Sequence, residues 1–217
     1  MKRAIHIITI LLASLVLAGA QADSTAFRPR LHLGVTAAYQ QNEVGFSPVV
    51  PQAALPGTGW GLLMSYVSEP HLGLLLSLAA EQRGWRETSP EVAGFYERQI
   101  RYLTLSPSTL VLFGRGRLQP LLTAGPFLSV PLSTREVLPP AWPAMPYYGD
   151  DFPLRMVYGI TGSAGIRLTA GRWGIQAEGR YRRGFSSLFP LGQGFNFSEP
   201  SAIEGQLSLL WLWEKKS

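Results

Sequence analysis

The sequence has no cysteine, which excludes both disulfide staples and thiolate metal sites. Histidine is nearly as scarce, with only three in 217 residues. One of them, His6, lies in a leader-like segment, so a histidine-based metal site or nucleophile relay has little to draw on. Long apolar runs are missing beyond that leader: the best candidate, Leu72 to Ala80, is broken by Gly73 and Ser77 and ends at Glu81. A helix needs about 20 such residues to cross hydrocarbon, so helical spans are excluded. Charge is sparse, 15% of residues against 46% hydrophobic, which is too apolar for a disordered chain. The basic residues are scattered, with none of the concentrated stripe that nucleic acid requires.

At the N-terminus, Lys2 and Arg3 precede an apolar stretch from Ile5 to Leu17 and then Gly19-Ala20-Gln21-Ala22. That order reads as a secretory signal, residues 1–22, cleaved after Ala22. Residues 23–217 then form a single domain, with 17 Lys and Arg against 14 Asp and Glu.

Through this domain runs an alternation of period two, which on a strand sends successive side chains to opposite faces. Eight stretches show it: Arg30 to Gln40, Gly59 to Ser68, His71 to Arg83, Arg98 to Phe113, Leu118 to Val130, Arg155 to Thr169, Arg172 to Arg182 and Ala202 to Trp213. In the clearest, Trp173, Ile175, Ala177, Gly179 and Tyr181 alternate with Gln176, Glu178, Arg180 and Arg182. The phase slips once, since Leu103 and Leu105 are odd-numbered but Leu110 and Leu112 even. A β-bulge near Pro107 is the expected cause. Connections near residues 69, 115 and 171 are tight, while those at 41–57, 84–97, 131–153 and 185–198 are long. Strict alternation of short and long connections is the mark of outer-membrane barrels.

The expected fold is therefore all-β, an eight-stranded antiparallel up-and-down transmembrane barrel in the cell outer membrane, both termini periplasmic. Two observations favour the apolar face pointing outward. Aromatics gather near strand ends, Tyr39, Trp60, Tyr102 and Tyr181 toward the loops and Tyr66, Trp173, Trp211 and Trp213 toward the turns, as interfacial girdles do. No charged residue falls on the apolar face once the bulge is allowed. A soluble lipocalin-like carrier, with the polarity reversed, remains the alternative.

Four motifs resemble the PorT-like outer-membrane β-barrel family: Glu81-Gln82-Arg83-Gly84, Tyr102-Leu103-Thr104-Leu105 with Pro107 nearby, Ala124-Gly125-Pro126-Phe127-Leu128-Ser129, and Arg180-Tyr181-Arg182-Arg183-Gly184. Thr104 stands where the family carries an acidic residue, and Glu214-Lys215-Lys216-Ser217 extends past the terminal strand. The resemblance implies an eight-stranded barrel, mostly without a defined biochemical activity.

With the polar face inward, Glu81, Arg83, Arg167, Glu178, Arg180, Arg182 and Glu204 converge on a lumen that side chains just fill. Buried ions must pair, so a structural plug is favoured over an ion or substrate path. His32 and His71 lie at the turn-side rim without a Ser–carboxylate arrangement, and Arg neighbours keep the carboxylates from acid–base work. No catalytic activity, cofactor or metal is expected. An outer-membrane lipid-modifying enzyme and a narrow channel are the alternatives. The loop from Pro131 to Pro153 offers Trp142, Tyr147, Tyr148, Asp150 and Asp151 either as a contact surface for a protein or glycan or as a lid over the mouth. Other expected partners are outer-membrane lipid and, during insertion, the barrel-assembly machinery. The barrel itself is expected to be a monomer that binds no nucleic acid.

Overall fold

A computed structural model describes residues 27–90, 94–140, 142, 145, 148, 155–189 and 195–213. The leader and its cleavage point lie outside these residues, as do Tyr147, Asp150 and Asp151. The elements in chain order are β1 (Arg30–Ser47), β2 (Gln52–Ala53), β3 (Leu55–Val67), β4 (Leu72–Thr88), β5 (Phe95–Leu112), β6 (Leu118–Val137), β7 (Val157–Ala170), β8 (Trp173–Gly184) and β9 (Phe197–Trp213). Each long strand pairs antiparallel with the next, and β9 returns to β1, from Leu31 opposite Trp213 to Ser47 opposite Phe197. Eight staves thus close a ring, and β2 is a short flap paired with Arg86 and Glu87 of β4. Closure satisfies every stave on both sides, which an open sheet in lipid would not do.

Burial alternates along most of each stave, with breaks at Arg83–Trp85 of β4, Tyr96–Arg98 of β5 and Leu132–Ser133 of β6, and the apolar set lies outside. Ile175, Leu207, Leu209 and Leu74 are exposed while Gln176, Glu178, Arg180 and Arg182 are buried, the reverse of the polarity that a soluble lipocalin-like carrier requires. The outward positions of β1 from Leu31 to Tyr39, β5 from Leu103 to Val111, β8 from Trp173 to Tyr181 and β9 from Ile203 to Trp213 contain no charge. These are about 9–11 residues each, the length a tilted strand needs to cross hydrocarbon. Outward charges, among them Glu43, Arg101, Arg135 and Arg183, lie loopward of this band. Tyr39, Trp60 and Tyr181 face outward at the loop side and Tyr66, Trp173, Trp211 and Trp213 at the turn side. Tyr102 does not join them: its even position turns it inward, where it is 3% exposed.

The bulge expected near Pro107 is elsewhere. Register is constant from Leu105 opposite Leu128 to Thr109 opposite Ala124, which places Pro107 across from Pro126. Neither residue has an N–H, so a rung is missing without an inserted residue. Leu110 and Leu112 keep the phase of Tyr102 and point inward, and they are apolar because the turn end of the interior is apolar. The register shift falls between Arg101 and Tyr102: Arg101 faces Ser133 and Tyr102 faces Pro131, leaving Leu132 of β6 as the extra residue. Leu132 and Ser133 are consecutive and both exposed.

The turns at 68–71, 113–117 and 171–172 are short. Gly114 (φ +81°) and Gly171 (φ +59°) adopt the left-handed backbone that such turns demand. At the other end the staves run well past the expected boundaries, β1 to Ser47, β4 to Thr88 and β6 to Val137, with β5 beginning at Phe95 and β9 at Phe197. The expected long connection at 84–97 is accordingly mostly strand.

Candidate functional site

Inside the barrel, three layers follow one another along the axis. At the turn end, Leu63, Val67, Leu75, Leu110, Leu112, Leu121 and Leu210 form a buried aliphatic base, with Phe27 packed beneath. Above it lies an ionic layer, and at the loop end an aromatic mouth built on Phe46, Trp85, Tyr96, Tyr102, Phe127, Phe189 and Phe195.

All seven charged residues expected in the lumen are buried and fall into one connected chain. The inward phase of β4 places Glu81 and Arg83 together, and Arg83 pairs with Glu81 through Nη2. Arg182 forks onto the same carboxylate, with Nη1 2.6 Å from Oε2 and Nη2 3.1 Å from Oε1, the planar bidentate geometry that suits guanidinium to carboxylate. Thr104 donates to Glu81 at 3.0 Å. Arg182 also approaches Glu204 at 3.4 Å, and Glu204 meets Arg180 at 3.4 Å. Arg180 lies 3.6 Å from Glu178, which accepts hydrogen bonds from Ser163 and Gln176. The chain ends at Arg167, whose Nε donates to Gln176 at 2.8 Å and whose Nη2 donates to Ser65 at 3.0 Å. The guanidiniums of Arg83 and Arg182 also stack over Phe127 at 5.4 Å and 5.3 Å, tying the ionic layer to the mouth.

Each carboxylate in this layer has at least one guanidinium within 4 Å. Ion pairs of this kind offset the cost of burying such charges, although the Nε atoms of Arg83, Arg180 and Arg182 have no hydrogen-bond partner among the described residues, and the layer obstructs the lumen as a plug. A narrow cleft between the ionic layer and the mouth, bordered by Asn42, Arg83, Tyr102 and Arg182, has room for about one water molecule.

At the mouth, Trp142 is buried, and its Nε1 donates to the Tyr148 hydroxyl at 2.9 Å. Tyr148 stacks on Tyr96 with ring centroids 4.0 Å apart, and its hydroxyl donates to Glu87 at 2.6 Å. Trp85 donates to the other Glu87 oxygen at 2.8 Å. Tyr96 donates to Glu136, and burial followed by that hydrogen bond raises its phenol above the ordinary value. Trp142 and Tyr148 are therefore turned into the barrel, as a lid would be, and not outward as a contact surface. Leu188, Phe189 and Phe195, between β8 and β9, are also buried in the mouth, and the Leu188 and Phe189 N–H groups donate to Ser198.

Arg98, Glu87, Tyr96 and Trp85 belong to this inner set, although the alternating stretches end at Arg83 and begin again only at Arg98, short of the other three. Extending the odd phase of β4 past Gly84 would have turned Trp85 and Glu87 inward, and extending the even phase of β5 back from Arg98 would have done the same for Tyr96. Among the histidines, His32 is buried at the base of the ionic layer, while His71 lies within hydrogen-bond distance of the Leu112 carbonyl, 3.0 Å.

No family model and no curated protein sequence matches the chain. Among solved structures, the outer membrane protein OprG from Pseudomonas aeruginosa superposes with a TM-score of 0.58 at 11% identity, covering 86% of this chain and 96% of OprG. Neisserial surface protein A gives a TM-score of 0.48 at 12% identity, covering 82% of this chain and 96% of that one. The outer membrane enzyme PagL gives 0.46 at 12% identity, over 80% and 97%. The fold is that of a small eight-stranded outer-membrane β-barrel.

Proposed function

We propose that this protein is an integral outer-membrane barrel with a structural or partner-binding role and no catalytic step, closed to free diffusion along its axis. One observation carries the reading: the outward band is uncharged while the lumen is occupied from base to mouth by packed aliphatic, ion-paired and aromatic side chains. A midplane Arg or Lys on the lipid face would cost roughly 2–4 kcal/mol, and at the level of the band Arg83, Arg167, Arg180 and Arg182 are inside.

The start of β1 and the end of β9 lie at the short-turn end, since Leu31 faces Trp213 there. In the usual arrangement of such barrels this end is periplasmic and the longer connections are extracellular. A protein or glycan partner would then meet the loops around the aromatic mouth. The motifs shared with PorT-like barrels support a place near that group, since Glu81, Arg83, Arg180 and Arg182 within them form the ionic layer. The narrow-channel alternative separates cleanly: the purified barrel in a planar bilayer should give no steady conductance, and a steady single-barrel current would overturn the closed plug.

A further inference from the structure

Just loopward of the apolar band, the outer wall is not equally charged around the ring. On β8 and β9, Arg183 has its own partner, Glu199, at 3.0 Å. On β4 and β5, Arg86 holds Glu97 through Nε and Nη2, at 3.0 Å and 2.7 Å, and Gln99 donates to the same carboxylate. Between these satisfied groups, Arg101 of β5 and Arg135 of β6 are exposed and have no carboxylate partner among the described residues.

The bulge at Leu132 is what puts Arg135 there. Before it, odd-numbered residues of β6 such as Phe127 and Ser129 are buried; after it, Ser133 and Arg135 are outside and Glu136 turns in to Tyr96. Bulges re-aim side chains in this way. With Arg101 opposite Ser133 and Gln99 opposite Arg135, the two arginines are diagonal neighbours, about 7–8 Å apart along the backbone.

The wall below them is also different. On β1, β3, β7 and β8 the upper edge of the band carries Tyr39, Trp60, Tyr158 and Tyr181, whereas on β5 and β6 it carries Leu103, Leu105, Val130 and Leu132, all exposed. The aromatic girdle is interrupted where the cations stand, leaving an aliphatic track beneath two guanidiniums that have no carboxylate partner among the described residues.

We propose that this face of β5 and β6 binds the net-anionic phosphorylated headgroup of a membrane lipid in preference to a zwitterionic one, with Arg101 and Arg135 on the phosphate, Gln99 and Ser133 as further polar contacts, and the leucine–valine track under an acyl chain. Planar guanidiniums suit phosphate oxygens, and an amphiphile matches both halves of the site where a soluble anion matches only one. The inference rests on the membrane reading above.

The test is native mass spectrometry of the purified full-length barrel with added lipid A, a bisphosphorylated lipid, against zwitterionic phosphatidylethanolamine. Wild type should retain lipid A adducts, and R101A/R135A should lose them about tenfold, the equivalent of 1.4 kcal/mol. R183A, whose guanidinium is already paired, should behave as wild type. Equal adducts in wild type and R101A/R135A would overturn the site. So would equal retention of phosphatidylethanolamine, or displacement of lipid A by millimolar inorganic phosphate alone. Failure of the wild-type barrel to float with phospholipid vesicles would instead sink the membrane reading, which distinguishes the two.

Discussion

At its turn end the barrel is closed by Leu63, Leu75, Leu110, Leu121 and Leu210, side chains without a polar atom, whereas at its loop end closure falls to Trp85, Tyr96, Trp142 and Tyr148, whose polar tips are bonded to Glu87, Glu136 or one another. The base is held by packing alone. The mouth adds directional bonds, which fix which connection folds over the lumen and in what orientation. Packing of this kind tolerates conservative exchange but not voids. A bonded aromatic cluster tolerates voids better than a lost acceptor.

The largest expected effect comes from the layer that separates the two ends. Glu81→Ala leaves Arg83 and Arg182 without their shared carboxylate and should cost about 3–5 kcal/mol, read as a lower urea midpoint for the heat-modifiable folded band. A midpoint unchanged from wild type would show that the two ends alone hold the barrel together. Leu110→Ala or Leu210→Ala, each fully buried in the base, should cost about 2–5 kcal/mol by leaving a cavity. Leu110→Met should be nearly silent, and an equal penalty for both exchanges would contradict a base held by packing alone.

At the mouth, Trp85→Phe keeps the ring but removes the donor to Glu87. The expected loss is about 1–3 kcal/mol, smaller than at the base because Tyr148 still donates to that carboxylate. The mouth should also respond to alkali. Folded Tyr96 holds its proton above the ordinary phenol range, so the stability it brings is present below about pH 10 and declines as the unfolded chain ionises above that value. Near-ultraviolet circular dichroism of wild type should therefore fall earlier with alkali than that of Tyr96→Phe, and superimposable curves would remove Tyr96 from the account. The smallest effect belongs to Arg183→Ala, an exposed pair with Glu199, which should leave the urea midpoint unchanged.

The alternation of period two made the ring, its polarity and the seven members of the ionic layer legible in the sequence, because an ionic lumen and an oily wall contrast most strongly there. The contrast fails at both ends. In the base, inward residues are as apolar as outward ones, so Leu110 and Leu112 mimic a change of phase that the backbone does not make. At the mouth, inward aromatics look like girdle residues, which is why the sequence alone places Tyr102 on the wall. Loopward of the membrane both faces are mixed, so Trp85, Glu87 and Tyr96 lie beyond the stretches that periodicity alone marks out. The bulge at Leu132 has no composition signal at all, since it is set by the register between β5 and β6.

The seam between β1 and β9 joins the first stave to the last, with Leu31 bonded beside Trp213. A chain shortened from either direction would therefore expose two long unsatisfied edges, and hydrocarbon offers them no donors or acceptors. Assembly must wait until the whole polypeptide has been delivered, and pairing across so great a separation is slow. Until that moment the chain depends on something other than its own fold to stay unaggregated.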